Sequence, residues 1–197
     1  MTTPSGLQAW FIRSQRPSDV LRQLDAGKWK DPRFTGEKIP FLEEILPTIP
    51  EGRKLYIEIK CGPEILQCLK IAIEKSGKKQ QIVIIGFDLD TVAKSKELMP
   101  DLPTYWLKAT EKEKDTEVLI PHGRELIRMV QKSGLDGLDV QSNGITKEFV
   151  NAAHEAGLRV YAWTVNDPDE ARRLKELGVD GITTDRPGWL KGQLSEK

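Results

Sequence analysis

Cysteine, histidine and methionine are all scarce: the 197-residue chain has two, two and three of them. Cys61 and Cys68, seven positions apart, form neither a metal spacing nor a disulfide framework, and are expected to be small buried hydrophobes. No apolar run approaches the roughly 18–20 residues that cross a bilayer. Met1-Thr2-Thr3-Pro4-Ser5 lacks the basic and apolar regions of a secretion signal, so the compartment expected for the chain as written is the cytoplasm. Excess charge of one sign is missing too. Thirty basic and thirty acidic residues are interspersed, for a formal net charge of zero, and no basic run is interleaved with aromatics, which argues against nucleic acid as a partner. What is present, 38% hydrophobic and 30% charged residues, suits a single domain over residues 1–197 with one sizeable core.

Six short apolar runs read as strands: Leu55–Lys60, Gln81–Phe87, Pro103–Lys108, Gly134–Gln141, Arg159–Asn166 and Val179–Asp185. Between them lie stretches with apolar residues at helical spacing, such as Ile65, Leu69 and Ile73, or Phe149, Val150 and Ala153. The clearest unit is residues 158–187. There Asp167 caps a helix, Pro168 takes its first position and Glu170 closes a capping box. Ala171, Leu174 and Leu177 form its core stripe, and Gly178 ends it. Strands alternating with helices imply a parallel sheet. Pro40 to Leu46 reads as a short helix closed by Pro47. Near the N-terminus, Trp10, Phe11, Arg13 and the Pro17-Ser18-Asp19 turn precede a helix around Val20–Leu24, with Ser18 as its expected cap. The charged stretch Lys108–Val118 reads as a solvated loop or helix start.

Several stretches of wording are shared with one family. Trp163-Thr164-Val165-Asn166 at a strand end is followed by Gly178-Val179-Asp180-Gly181-Ile182-Thr183-Thr184-Asp185-Arg186-Pro187. Upstream lie Leu24-Asp25-Ala26-Gly27, Gly36-Glu37-Lys38-Ile39-Pro40, Ile57-Glu58-Ile59-Lys60 and Gly86-Phe87-Asp88. In these features the chain resembles the glycerophosphodiester phosphodiesterase family over about residues 20–190. The fold implied is α/β of the TIM-barrel type, but incomplete. About six of the eight β/α units are countable, and a full (β/α)8 barrel typically needs about 250 residues. The L-D-A-G and G-E-x-I-P wording follows the second barrel strand in the family, so the first two strands are the ones expected to be lacking. Phe41 stands where the family usually has a capping Thr, a departure that concerns helix stability.

Glu58 and Lys60 alternate along an apolar strand and therefore share one face. From the hexapeptide alone that pattern fits a ligand site at a strand end, a mutual ion pair or an exposed edge. The resemblance implies more: Glu58 falls on a divalent-metal ligand, and Lys60 on a lysine that approaches the substrate phosphate. Trp163 by spacing is a pocket wall or a core residue, and by resemblance it lies against the glycerol or leaving-group side of the substrate. Asn166 and Asp185 end strands on the same presumed face, with Asp185 read as fixing its loop. Phe87 is read as packing.

The family's acid–base histidines lie in an H-R-G motif on the first strand and an H-D motif after the second, and further metal ligands in an E-x-D pair on the second strand. Neither histidine motif occurs in this sequence, and no E-x-D pair lies on its strands. His122 and His154 fit neither position and are read as packing or surface residues, leaving no catalytic residue to assign. The resemblance thus implies a phosphoric diester hydrolase that converts glycerophosphodiesters to glycerol 3-phosphate and an alcohol with a divalent cation, Mg or Ca. In this chain the metal is expected to bind weakly if at all, and turnover is expected to be absent. The alternative is a non-catalytic barrel relative that binds a phospho-ligand. The expected partner is a small phosphodiester. The strands at 55–60 and 179–185 would be unpaired edges open to oligomerisation, which the alternating segment Leu7–Ile12 would cover only in part.

Overall fold

A computed structural model describes residues 18–195; Leu7–Ile12, Trp10, Phe11, Arg13 and the cap assigned to Ser18 lie outside what is described. The elements run α1 (Ser18–Arg22), α2 (Leu42–Ile45), β1 (Leu55–Ile59), α3 (Leu66–Ser76), β2 (Ile82–Gly86), α4 (Leu89–Leu98), β3 (Thr104–Lys108), β4 (Glu111–Lys112), β5 (Leu119–Ile120), α5 (Arg124–Lys132), β6 (Gly137–Gln141), α6 (Lys147–Glu155), β7 (Arg159–Trp163), α7 (Pro168–Leu177), β8 (Gly181–Ile182) and α8 (Pro187–Ser195). Six strands form one parallel sheet in the order β1-β2-β3-β6-β7-β8. All six expected strands are present. Gly134 is not part of β6, because it takes a left-handed turn after α5 at φ 65°, and β8 shrinks to two residues paired only with β7.

Alternation sorts the sheet into two faces. Ile59, Ile82 and Ile84 point to the helices and pack with Leu66, Leu69 and Ile73; Trp106, Leu138, Val140, Val160 and Ala162 do the same with Ile127, Val130, Phe149 and Leu174. Each fully buried leucine or isoleucine there stabilises the fold by roughly 2 kcal/mol. The intervening residues line the other face, which is strongly concave. The Tyr56 ring on β1 lies 6.4 Å from that of Tyr161 on β7, although four strand spacings would separate them by about 19 Å in a flat sheet. The sheet therefore curls as a barrel wall does.

Local chemistry accounts for the element ends. Asp167 accepts from the backbone N–H groups of Asp169 and Glu170 at 2.7 and 3.1 Å, and Gly178 closes α7 in a left-handed conformation at φ 87°. The expected capping box does not form, because the Glu170 carboxylate turns instead to Arg173 at 2.7 Å. At α2 the Phe41 side chain offers no acceptor, but Glu44 accepts the Phe41 N–H at 2.6 Å. Pro47 lies within a 3-10 turn, Leu46–Thr48, that extends this helix. The Asp25 carboxylate gathers the N–H groups of Gly27, Lys28 and Gly36. At Gly27 a Cβ would lie 2.1 Å from the Phe34 carbonyl oxygen, so this glycine admits no side chain.

Three expectations are corrected. Cys61 and Cys68 are exposed, because the buried stripe of α3 runs through Leu66, Leu69, Ala72 and Ile73 and misses Cys68. Ile65 is exposed as well, in the 3-10 turn Pro63–Ile65 that precedes α3. The Lys108–Val118 stretch is solvated as expected, with residues 111–118 exposed, but it is not a helix start; it builds most of a hairpin, β4 against β5, braced by Lys112–Glu117 at 2.6 Å.

Among the described residues β1 and β8 each have one strand neighbour, and unpaired edges recruit other chains. Light scattering at micromolar concentration is expected to show oligomers that grow with concentration. A cooperative monomer of constant mass would refute open edges.

The strand-end site

The C-terminal ends of the strands open at one rim of the concave face, where a parallel α/β sheet carries its ligands. Glu58 and Lys60 stand there together, Lys60 Nζ 3.1 Å from Glu58 Oε1, with side chains 38% and 27% exposed for Lys60 and Glu58 respectively. A pair this exposed is worth at most about 1 kcal/mol. An incoming anion or cation can therefore separate the two at little cost.

Trp163 ends β7 on the same rim. Its indole N–H donates to the Asp139 carbonyl oxygen at 2.9 Å, and its ring meets the Phe87 ring edge-on, 5.7 Å between centroids at 79°. Phe87 is half exposed and packs, as expected, but against Trp163 at the rim and not in a core. Behind it, the Trp106 indole N–H holds the Phe87 carbonyl at 2.9 Å.

Deeper in the concavity sits a residue that sequence reading passed over. Asp139, in the middle of β6, is only 3% exposed, and its Oδ1 has no hydrogen-bond partner. Burial first, and then the nearby charge of Glu58, push its carboxyl up to about 7. Leu138 and Val140 on either side point into the helix-side core. A lone aspartate between them on the opposite face is the same signal that marked Glu58, and it was available in Gly137-Leu138-Asp139-Val140-Gln141. Tyr161 pairs with Asp139 in register and its ring lies 4.8 Å from that of Tyr105. Burial drives the Tyr56 and Tyr105 phenols well above their usual range, so both are neutral.

The remaining candidates are engaged in other contacts. Asn166 and Asp185 tie two loops together, Asn166 Nδ2 donating to Asp185 Oδ2 at 2.7 Å and the Asp185 N–H to Asn166 Oδ1 at 3.0 Å, which is the loop-fixing role expected of Asp185. His122 is buried against Phe149, with Nε2 3.0 Å from the Gln141 carbonyl oxygen, and desolvation lowers its pKa. His154 is at the other end of the sheet, 3.0 Å from Asp180, which also binds Arg159. Two shallow hollows, beside Ile73 and Met99 and beside Ile127 and Ala152, are on the helical side and touch none of the strand-end residues. No three His, Cys, Asp or Glu side chains cluster at metal-binding distances among the described residues, and no described helix is long and apolar enough to cross a membrane.

A curled parallel sheet backed by helices, with charged and aromatic groups at its strand ends, defines an α/β protein of the TIM-barrel type. A model of the glycerophosphoryl diester phosphodiesterase family matches residues 15–189, and the chain belongs to that family of phosphoric diester hydrolases. It is 27% identical to a glycerophosphodiester phosphodiesterase of Bacillus subtilis, over 90% of this chain and 64% of the relative. It is 29% identical to one of Caldanaerobacter subterraneus, over 87% and 68%. Its fold matches that of an Oleispira antarctica phosphodiesterase solved with its product sn-glycerol-3-phosphate, with TM-score 0.74 and 22% identity over 91% of this chain and 71% of that one. The chain thus spans about two thirds of the length of these relatives.

Proposed function

We propose that this chain supplies the metal- and phosphate-binding wall of a site that hydrolyses glycerophosphodiesters, water adding across a P–O bond to give glycerol 3-phosphate and an alcohol. The observation that carries this reading is Glu58 and Lys60 side by side at the mouth of a curled parallel sheet in a chain of this family. In this reading Lys60 meets the phosphoryl oxygens, Trp163 lies along the glycerol or alcohol part, and Glu58 is a ligand to a divalent cation. The orphaned buried oxygen of Asp139 suits a site whose negative charge awaits a cation. Such a cation, when bound, would neutralise charge on the phosphoryl oxygens.

A second reading, phospho-ligand binding without hydrolysis, is favoured by one observation: both histidines are already engaged, His122 with the Gln141 carbonyl oxygen and His154 with Asp180. The two readings share the binding wall and differ only in whether chemistry follows. Glycerol 3-phosphate is expected to bind the wild-type chain and to bind Lys60→Met roughly 10–100-fold more weakly, as loss of a charged hydrogen bond implies. Trp163→Phe, which keeps a ring but not the N–H, is expected to have a smaller effect. Equal calorimetric affinity of wild type and Lys60→Met would remove the ligand from this rim.

A further inference from the structure

We infer that Asp139 is a second carboxylate ligand of the cation site, facing Glu58 across the concavity. The inference builds on the proposed role of Glu58 and adds a residue from the opposite side of the curl.

Geometry brings the two carboxylates into one space. Tyr56, two residues before Glu58 on the same face of β1, touches Tyr161 with rings 6.4 Å apart. Tyr161 is the register partner of Asp139 on the neighbouring strand. The closure that joins the two tyrosines therefore turns Glu58 toward the strand that carries Asp139. Asp139 has no compensation of its own: it is buried, Oδ1 is unpartnered, and the nearby phenols of Tyr56 and Tyr105 are neutral. Lys60 is bound to Glu58. A buried carboxylate without a counter-charge is costly unless it is paired or binds a metal. A hard divalent cation, calcium or magnesium, accepts carboxylate oxygens with water completing its shell, and placed between Glu58 and Asp139 it turns their mutual repulsion into attraction. The site has a link to the rim as well, since the Asp139 carbonyl holds the Trp163 indole.

Calcium and magnesium titrations of the whole chain at pH 8, by calorimetry, test this. Two carboxylates and water should give roughly millimolar affinity, and both Glu58→Gln and Asp139→Asn should weaken it at least about tenfold. Carbon NMR of the Asp139 carboxyl in the unaltered chain gives a reading independent of any variant's folding: added calcium should lower its titration midpoint. Binding by Asp139→Asn within about twofold of wild type, with loss in Glu58→Gln, overturns the role of Asp139 while leaving that of Glu58 intact. Undiminished binding in both variants, or none in the wild type at tens of millimolar, overturns both. An Asp139 midpoint that calcium leaves unmoved also overturns the inference.

Discussion

No hydrolysis of glycerophosphocholine or bis(p-nitrophenyl) phosphate above a metal-only control is expected from the 197-residue chain. Each positioned acid or base contributes typically about 10²–10⁴-fold to such a reaction, and neither histidine is placed to serve. His122 is fixed against Gln141 and Phe149, and His154 is spent on Asp180 at the opposite end of the sheet. The His122→Ala, His154→Ala double variant should match the wild type in assays of glycerol 3-phosphate and p-nitrophenol release. Turnover that persists in that variant and vanishes in Glu58→Gln would show that the site works without a histidine pair.

Asp139→Asn is expected to stabilise the protein at pH 8 and to flatten its pH dependence between about pH 4 and pH 8. The sign follows from the raised carboxyl. With a folded-state value of about 7 against 3.8 when unfolded, the neutral acid is favoured in the fold, so its contribution is full below pH 4 and is lost as pH rises through 7. A shift of about three units corresponds to roughly 4 kcal/mol, an order-of-magnitude figure that needs no discount for screening because the side chain is buried. For a chain of this size the gain in melting temperature would be on the order of 10 °C. Other groups titrate nearby. His122, lowered by burial, loses stability as pH falls below its usual range, and Asp180, held low by its hydrogen bonds from Val160, Arg159 and His154, loses it only in the acid carboxylate range. Both persist in the variant and cancel in the comparison. Metal-free melting curves at pH 5 and pH 8 decide the matter: an equal difference between the two pH values in wild type and variant would sink the assignment. The same substitution is expected to raise stability and to weaken cation binding, the trade often made by functional groups.

Local chemistry made much of this molecule readable from its residues. The six strands were legible because a parallel strand buried on one face by helices is a short apolar run, and the α7 boundaries because Asp167, Pro168 and Gly178 act on backbone groups within a turn of themselves. Glu58 and Lys60 were legible because alternation puts them on one face whatever the rest of the chain does. Where the outcome depended on phase, reading went astray: Cys68 falls a fraction of a turn from the buried stripe of α3, and Glu170 chose Arg173 over its own N-terminus. The hairpin β4–β5 escaped notice because two-residue strands carry no period. Asp139 shows the boundary most clearly. Its place in an apolar strand was visible in the sequence, but its isolation from any partner and its approach to Glu58 come from the curl of the sheet. That curl is set by register and twist summed over five strands far apart in sequence, and no local pattern encodes the sum.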